Sequence, residues 1–165
     1  GDSVLDFVYF TTDLKNLITY ANSTYSNGSG TSNRHGAEMK FNSLIADNVY
    51  WRNSATFTVA EDGNGTRVTR RPKWMGLTAI DYKKDSWTNT VEYLHTSSHL
   101  DIDSSTYATI TKPAVGVVNL HTSKVVNDKS NVVLSVNNAF DKTYDRPDGY
   151  AQHGRNILLT YKLKF

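Results

Sequence analysis

From Arg155 to Phe165 apolar and polar residues alternate. Ile157, Leu159, Tyr161, Leu163 and Phe165 share one parity and Asn156, Thr160, Lys162 and Lys164 the other, with Leu158 the one exception. A period of two puts the two sets on opposite faces of a β-strand, one apolar and one polar. The pattern recurs upstream. Val49, Trp51, Ala55, Phe57 and Val59 oppose Tyr50, Arg52, Ser54, Thr56 and Thr58, while Ala37, Met39, Phe41 and Ile45 oppose Glu38, Lys40 and Asn42. Trp87, Val91 and Tyr93 oppose Thr88, Thr90 and Glu92, and Val132, Leu134 and Val136 oppose Ser135 and Asn137. Near 73–84 two sets compete, Met75, Leu77 and Ala79 against Trp74, Ile80 and Tyr82, so the register of that segment stays open.

Segments near 4–19, 34–46, 48–60, 73–84, 86–98, 114–126, 131–140 and 155–165 are predicted strands, about eight in all. Their connections alternate in length. Ala46-Asp47-Asn48, Lys84-Asp85 and Asn127-Asp128-Lys129-Ser130 are tight polar turns, whereas 20–33, 61–72, 99–113 and 141–154 are long and hold most of the Gly and all of the Pro. Short turns at one end and long loops at the other are the layout of an antiparallel transmembrane barrel, and a tilted strand of roughly 9–11 residues spans the bilayer. Charge placement agrees with this, since Lys40, Arg52, Glu92 and Lys162 keep to the polar parity and a Lys or Arg facing lipid at the midplane costs roughly 2–4 kcal/mol. A soluble sheet with one wet face obeys the same parity. Aromatic positions add weight to the membrane reading. Trp51, Trp87 and Phe165 fall at the short-turn end and Tyr9, Tyr93 and Tyr144 toward the loop end, as two interfacial girdles require.

Composition is that of strands and loops: 12% aromatic with 10 Tyr, and 38% hydrophobic. The negative mean hydropathy does not exclude a membrane barrel, whose strands expose apolar groups only at alternate positions. The absence of Cys removes disulfides and thiolate metal sites. A net charge of +2 from 18 basic and 16 acidic residues, with no basic block beyond Arg67, Arg70, Arg71 and Lys73, gives no footing for nucleic acid. No signal peptide opens the chain and Gly1-Asp2-Ser3 runs straight into strand pattern, so the sequence reads as a fragment or processed chain whose home is the bacterial outer membrane.

The stretch Leu134-Ser135-Val136-Asn137-Asn138-Ala139-Phe140-Asp141-Lys142-Thr143-Tyr144, then Gly149-Tyr150, Gly154-Arg155-Asn156 and a terminal Phe165, resembles the end of a TonB-dependent outer-membrane transporter. Tyr9 to Ile18, Asn33 to Glu38 and Arg70-Arg71-Pro72-Lys73 resemble further family blocks in the same order, so the likeness covers essentially all 165 residues. The layout is similar to siderophore and cobalamin receptors. The resemblance implies a plugged barrel of about 22 strands, of which residues 1–165 supply about the last eight, with the plug and the preceding strands on residues not in this sequence. It implies energy-coupled uptake of a ferric siderophore, haem or cobalamin by the whole receptor through a TonB complex that contacts the plug. This segment contributes barrel wall and extracellular loops. It further implies that Tyr161, Leu163 and Phe165 form the signal read by the barrel-assembly machinery. Gly36, at a strand re-entry, and Gly154, before the last strand, read as structural.

Ligand capture falls to the loops, because a barrel leaves recognition to them. Arg146, Asp148, Tyr150 and His153 are candidates to line the mouth, where Tyr stacking and hydrogen bonding suit catecholate or corrin ligands. Arg70 and Arg71 are candidates for an anionic ligand, with lipopolysaccharide phosphates or plain solvation as the competing reading. His95, His99, Asp101 and Asp103 have metal-ligand side chains, but two His four apart on one strand lack a well-spaced third ligand, so no metal and no cofactor is expected. Neither a nucleophile elbow nor an HExxH motif supports catalysis. Two other architectures compete. A self-contained eight-stranded outer-membrane barrel with a structural or adhesive role requires the first strand to pair with the last. A secreted β-sandwich requires a second sheet over the apolar parity.

Overall fold

The structure is a computed structural model that describes residues 3–21, 23–28 and 30–165. Gly1 and Asp2, the predicted run-in to the first strand, lie outside the described residues. Twelve strands are described: β1 (Ser3–Lys15), β2 (Ile18–Ala21), β3 (Thr24–Asn27), β4 (Thr31–Ala46), β5 (Val49–Glu61), β6 (Trp74–Lys84), β7 (Trp87–Thr96), β8 (His99–Ile102), β9 (Thr109–Lys112), β10 (Val115–Asn127), β11 (Ser130–Asn137) and β12 (Asn156–Leu163). Eight of them form one antiparallel sheet in the order β1-β4-β5-β6-β7-β10-β11-β12. These are the eight predicted segments. Among the described residues no helix is long and apolar enough to cross a membrane.

The four additional strands form two hairpins: β2–β3 takes the end of the first predicted strand and part of the connection after it, and β8–β9 lies in a connection that reads as a plain loop. Their residues, such as Thr24-Tyr25-Ser26-Asn27, carry too little hydrophobic contrast for a period of two to show. The first predicted strand, drawn to residue 19, ends at Lys15, because Asn16 adopts φ 56° and turns the chain into β2. Asn48 and Asp85 take positive φ at two of the three tight turns, as their side chains tolerate.

The register fixes the faces. One row runs Leu5–Phe41–Asn53–Thr78–Tyr93–Val118 and the next Phe7–Met39–Ala55–Gly76–His95–Gly116. On the opposite face Asp6–Lys40–Ser54–Leu77–Leu94–Val117 lies between these rows and Asn42–Arg52–Ala79–Glu92–Asn119 lies beyond the first. The open register of β6 resolves: Ile80 pairs with Trp51 and Trp74 with Phe57, so Trp74, Ile80 and Tyr82 take the apolar face and Met75, Leu77 and Ala79 the polar one.

Among the described residues the one buried hydrophobic side chain is Ala79, while Phe7 is 67% and Ile157 70% exposed. An apolar face this open is not the core of a sandwich, and all eight main strands lie in one sheet, so the β-sandwich reading is overturned. The self-contained barrel fails as well. β1 pairs with β4 and β12 with β11, and β1 and β12 are the two edges of the sheet among the described residues.

Polar contacts hold the polar face together. Arg52 donates through Nε (2.5 Å) and Nη2 (3.1 Å) to Asp81, which also accepts Thr90 Oγ1 at 2.7 Å. Farther along, Asn119 Nδ2 donates to Glu92 at 2.9 Å. A close approach requires Gly36. A Cβ there would lie 2.0 Å from the Phe57 carbonyl oxygen and 2.7 Å from the Phe10 ring.

Candidate functional site

Three long connections, 62–73, 97–114 and 138–155, meet at the end of the sheet opposite the tight turns. The root of the third is Asn138, 4% exposed and at φ 50°, directly after β11. Its backbone N–H donates to Asn119 Oδ1 at 2.9 Å, its Oδ1 accepts Lys142 N at 2.8 Å, and its Nδ2 donates to the Lys142 carbonyl at 2.8 Å and to the His153 carbonyl at 3.2 Å. One asparagine thus ties both ends of the 138–155 loop to β10. Asp141 completes the closure by accepting Arg155 N at 2.7 Å.

The centre of the cluster is Asp101 on β8, 0% exposed. Its Oδ1 accepts Arg70 Nε at 2.6 Å and Ile102 N at 2.7 Å, and its Oδ2 accepts Asp148 N at 2.9 Å. Asp148 in turn accepts Ser104 N at 2.9 Å and Lys112 Nζ at 2.8 Å, and Lys112 also pairs with Asp145. Charge-assisted bonds of this kind favour the ionised carboxylate. Lys112 and the Ser104 amide hold Asp148 down to about 2. Lys112 and the Gly149 amide lower Asp145. For Asp101, burial pushes its carboxyl up, but Arg70 and the amides of Ile102 and Asp148 outweigh it and the net shift is downward. Lys112 is raised by its two carboxylates.

Beneath the 138–155 loop lies a cavity of about 640 Å³, floored by Ser54, Thr56, Met75 and Leu94 on the sheet and walled by Tyr144 and Arg146 of the loop. Arg146 reaches the sheet, its Nη1 donating to Thr96 Oγ1 at 3.2 Å. Tyr144, placed by the sequence in an interfacial girdle, instead lines this cavity, because Asn138 folds the loop that carries it back over the polar face.

The predicted site residues divide. Arg70 and Asp148 meet at Asp101 and hold the loops together. Arg146 belongs to the cavity. Tyr150 and His153 are exposed on the same loop, and Arg71 is exposed with Nη1 donating to the Arg70 carbonyl at 3.2 Å. Tyr161, Leu163 and Phe165 are exposed at the last edge of the sheet. His95 and His99 do not share a strand: β7 ends at Thr96, His95 stacks against Tyr93 on the apolar face, and His99 is buried in β8. Among the described residues no three His, Asp or Glu gather as a metal site. Sequence reasoning missed Lys112 and Asn138. Asn138 lies in the Asn-rich strand end of the family-like stretch 134–144, whereas nothing local marks Lys112, 33 residues from its partner Asp145.

Residues 1–139 match the family model of the TonB dependent receptor-like β-barrel. The chain belongs to this family. It is an outer-membrane chain, its apolar face toward lipid and its polar face toward the barrel lumen. The vitamin B12 transporter BtuB of Vibrio cholerae is 29% identical over 161 residues, which cover 92% of this chain and 25% of BtuB. The chain therefore spans about a quarter of the length of that relative. In fold it is similar to the ferric citrate transporter FecA, with a TM-score of 0.83 and 21% identity over 100% of this chain and 29% of FecA. The ferripyoverdine receptor of the outer membrane of Pseudomonas aeruginosa gives a TM-score of 0.77 at 16% identity over 99% of this chain and 25% of that receptor.

Proposed function

We propose that this chain is the C-terminal part of the barrel of a TonB-dependent active transporter that takes up a scarce ferric siderophore, haem or cobalamin. Residues 1–165 supply barrel wall and extracellular loops, while a plug and further strands complete the receptor. The observation that carries this reading is the correspondence with BtuB along 92% of the chain, which also makes cobalamin the first ligand to test. Arg146, Tyr150 and His153 contact the ligand at the mouth, Arg71 adds a positive charge at the rim, and Arg70 and Asp148 act by fixing the loops. The TonB complex engages the receptor through the plug, lipopolysaccharide meets the outward wall, and the assembly machinery reads Tyr161, Leu163 and Phe165. The work is transport and not catalysis.

The test is uptake of labelled cyanocobalamin, haem and ferric siderophores by cells with and without the intact receptor, each with and without a protonophore. Receptor-dependent uptake of one of them that collapses with the proton gradient supports the reading. Uptake that is indifferent to both the receptor and the gradient for all of them overturns it. Arg146→Ala should weaken binding of the imported ligand about tenfold, equivalent to about 1.4 kcal/mol.

A further inference from the structure

The three extracellular connections are held to one another by side-chain and backbone bonds. A carboxylate with no solvent exposure is costly to bury unless every lone pair is used. Asp101 uses its oxygens on partners from three separate segments: Arg70 from 62–73, Ile102 from its own hairpin, and the backbone of Asp148 from 138–155. Further bonds join the same segments. Arg70 N donates to the Leu100 carbonyl at 2.6 Å, Ser104 N donates to Asp148, and Lys112 on β9 binds both Asp145 and Asp148. Gly149 fits so tightly against the hairpin that a Cβ would lie 2.7 Å from Ser104 Oγ, and its φ of +80° suits only glycine well. The 138–155 loop, which roofs the cavity over the polar face, is thus fastened at its far end to a hairpin from a different connection.

We propose that Asp101 is the keystone of a latch that makes the 62–73 connection, the β8–β9 hairpin and the 138–155 loop a single cooperative unit, holding the roof closed over the lumenal cavity. This inference stands on the loop geometry and does not depend on which ligand is carried. Because the network is shared, the three segments open together or not at all, which is the behaviour of one cooperative unit in a native structure. Asp101→Asn is the sharpest perturbation. Asparagine keeps the shape but offers one acceptor oxygen in place of two, so its NH₂ must face either the Arg70 guanidinium or the Asp148 amide, a donor against a donor.

Amide hydrogen exchange of the intact receptor in outer-membrane vesicles tests the latch. In the native protein, peptides covering 64–72, 99–112 and 142–152 should exchange at a common slow rate. In Asp101→Asn all three should lose protection together, while peptides of β5, β6 and β10 stay unchanged. Lys112→Met, which removes the second fastening without touching Asp101, should also loosen all three. The idea is overturned if the three segments exchange independently in the native protein, or if either variant releases only the peptide that contains the substitution. Unchanged protection in the wall strands shows that each variant has folded, and if both variants fail to fold, the exchange rates of the native protein alone decide.

Discussion

Gly36 on β4 lies so close to Phe57 on β5 that a methyl group at Gly36 would fall 2.0 Å from the Phe57 carbonyl oxygen. Backbone cannot swing aside as a side chain can, so Gly36→Ala must push the two strands apart. A cost of about 1–3 kcal/mol is expected, as for other overpacked sites. Gly76 is the control, since its nearest neighbour, the Ser54 carbonyl oxygen, is 3.4 Å away. Thermal unfolding followed by heat-dependent migration on gels should rank Gly36→Ala clearly below Gly76→Ala and the native protein. Equal midpoints would show that the β4–β5 contact is looser than described.

The lumenal pair Arg52–Asp81 leads to a second expectation. Asp81 is 5% exposed and takes bonds from Arg52 and Thr90. Arg52→Met strands this carboxylate with Thr90 as its remaining side-chain donor and should cost about 1–3 kcal/mol, the range for an unsatisfied buried polar group. Replacing both residues at once, Arg52→Met with Asp81→Leu, should recover much of that loss. A double variant no better than the single one would mean that the pair does not act as a pair.

On the lipid face Trp51 Nε1 donates to Thr78 Oγ1 at 2.9 Å, and Thr78 donates to Asn53 Oδ1 at 2.6 Å. Polar groups in hydrocarbon survive by bonding to one another. Thr78→Val alone deprives both neighbours and should lower the unfolding midpoint, whereas Asn53→Leu with Thr78→Val should cost less than the single change. Differential unfolding in detergent distinguishes the two. A harmless single variant would place these residues outside the hydrocarbon.

Acid should release the loops before the wall. Asp101, Asp145 and Asp148 all sit below the ordinary carboxylate value of 3.8, with Asp148 at about 2. A depressed folded value means that their contribution is complete above about 3.8 and is lost as pH falls toward 2. Lys112 sits above 10.5, so its contribution is intact below that value and fades as pH rises beyond it. Proteolysis of the loops in vesicles, constant across neutral pH and rising only below about pH 3.8, is the expected profile. A rise near pH 6 would contradict the ionic account.

The wall was legible in the sequence because its two faces meet different solvents. Trp51 and Arg52, or Tyr93 and Glu92, differ enough in polarity for a period of two to show, and the register then follows from the tight turns at Asp47-Asn48 and Asp85. β6 resisted because Met75 and Leu77 face the lumen beside a cavity, where apolar side chains are tolerated. The loops were legible only as loops. Asp101 reads as a metal-ligand type, yet its partners Arg70 and Asp148 lie 31 and 47 residues away, and nothing periodic connects them. The loop chemistry of 146–153 marks candidates for the mouth, but nothing in the sequence signals the bonds that gather around Asp101.

We propose that these residues are one stretch of the wall of a much larger receptor. The most direct test is the intact mass, with peptide mapping, of the protein purified in detergent from its native outer membrane. A chain about four times the 18.5 kDa of this sequence, with plug peptides on its N-terminal side, is the predicted result, in keeping with its span of 25% of BtuB. A folded, membrane-inserted species of 18.5 kDa alone, with β1 cross-linking to β12, would contradict it.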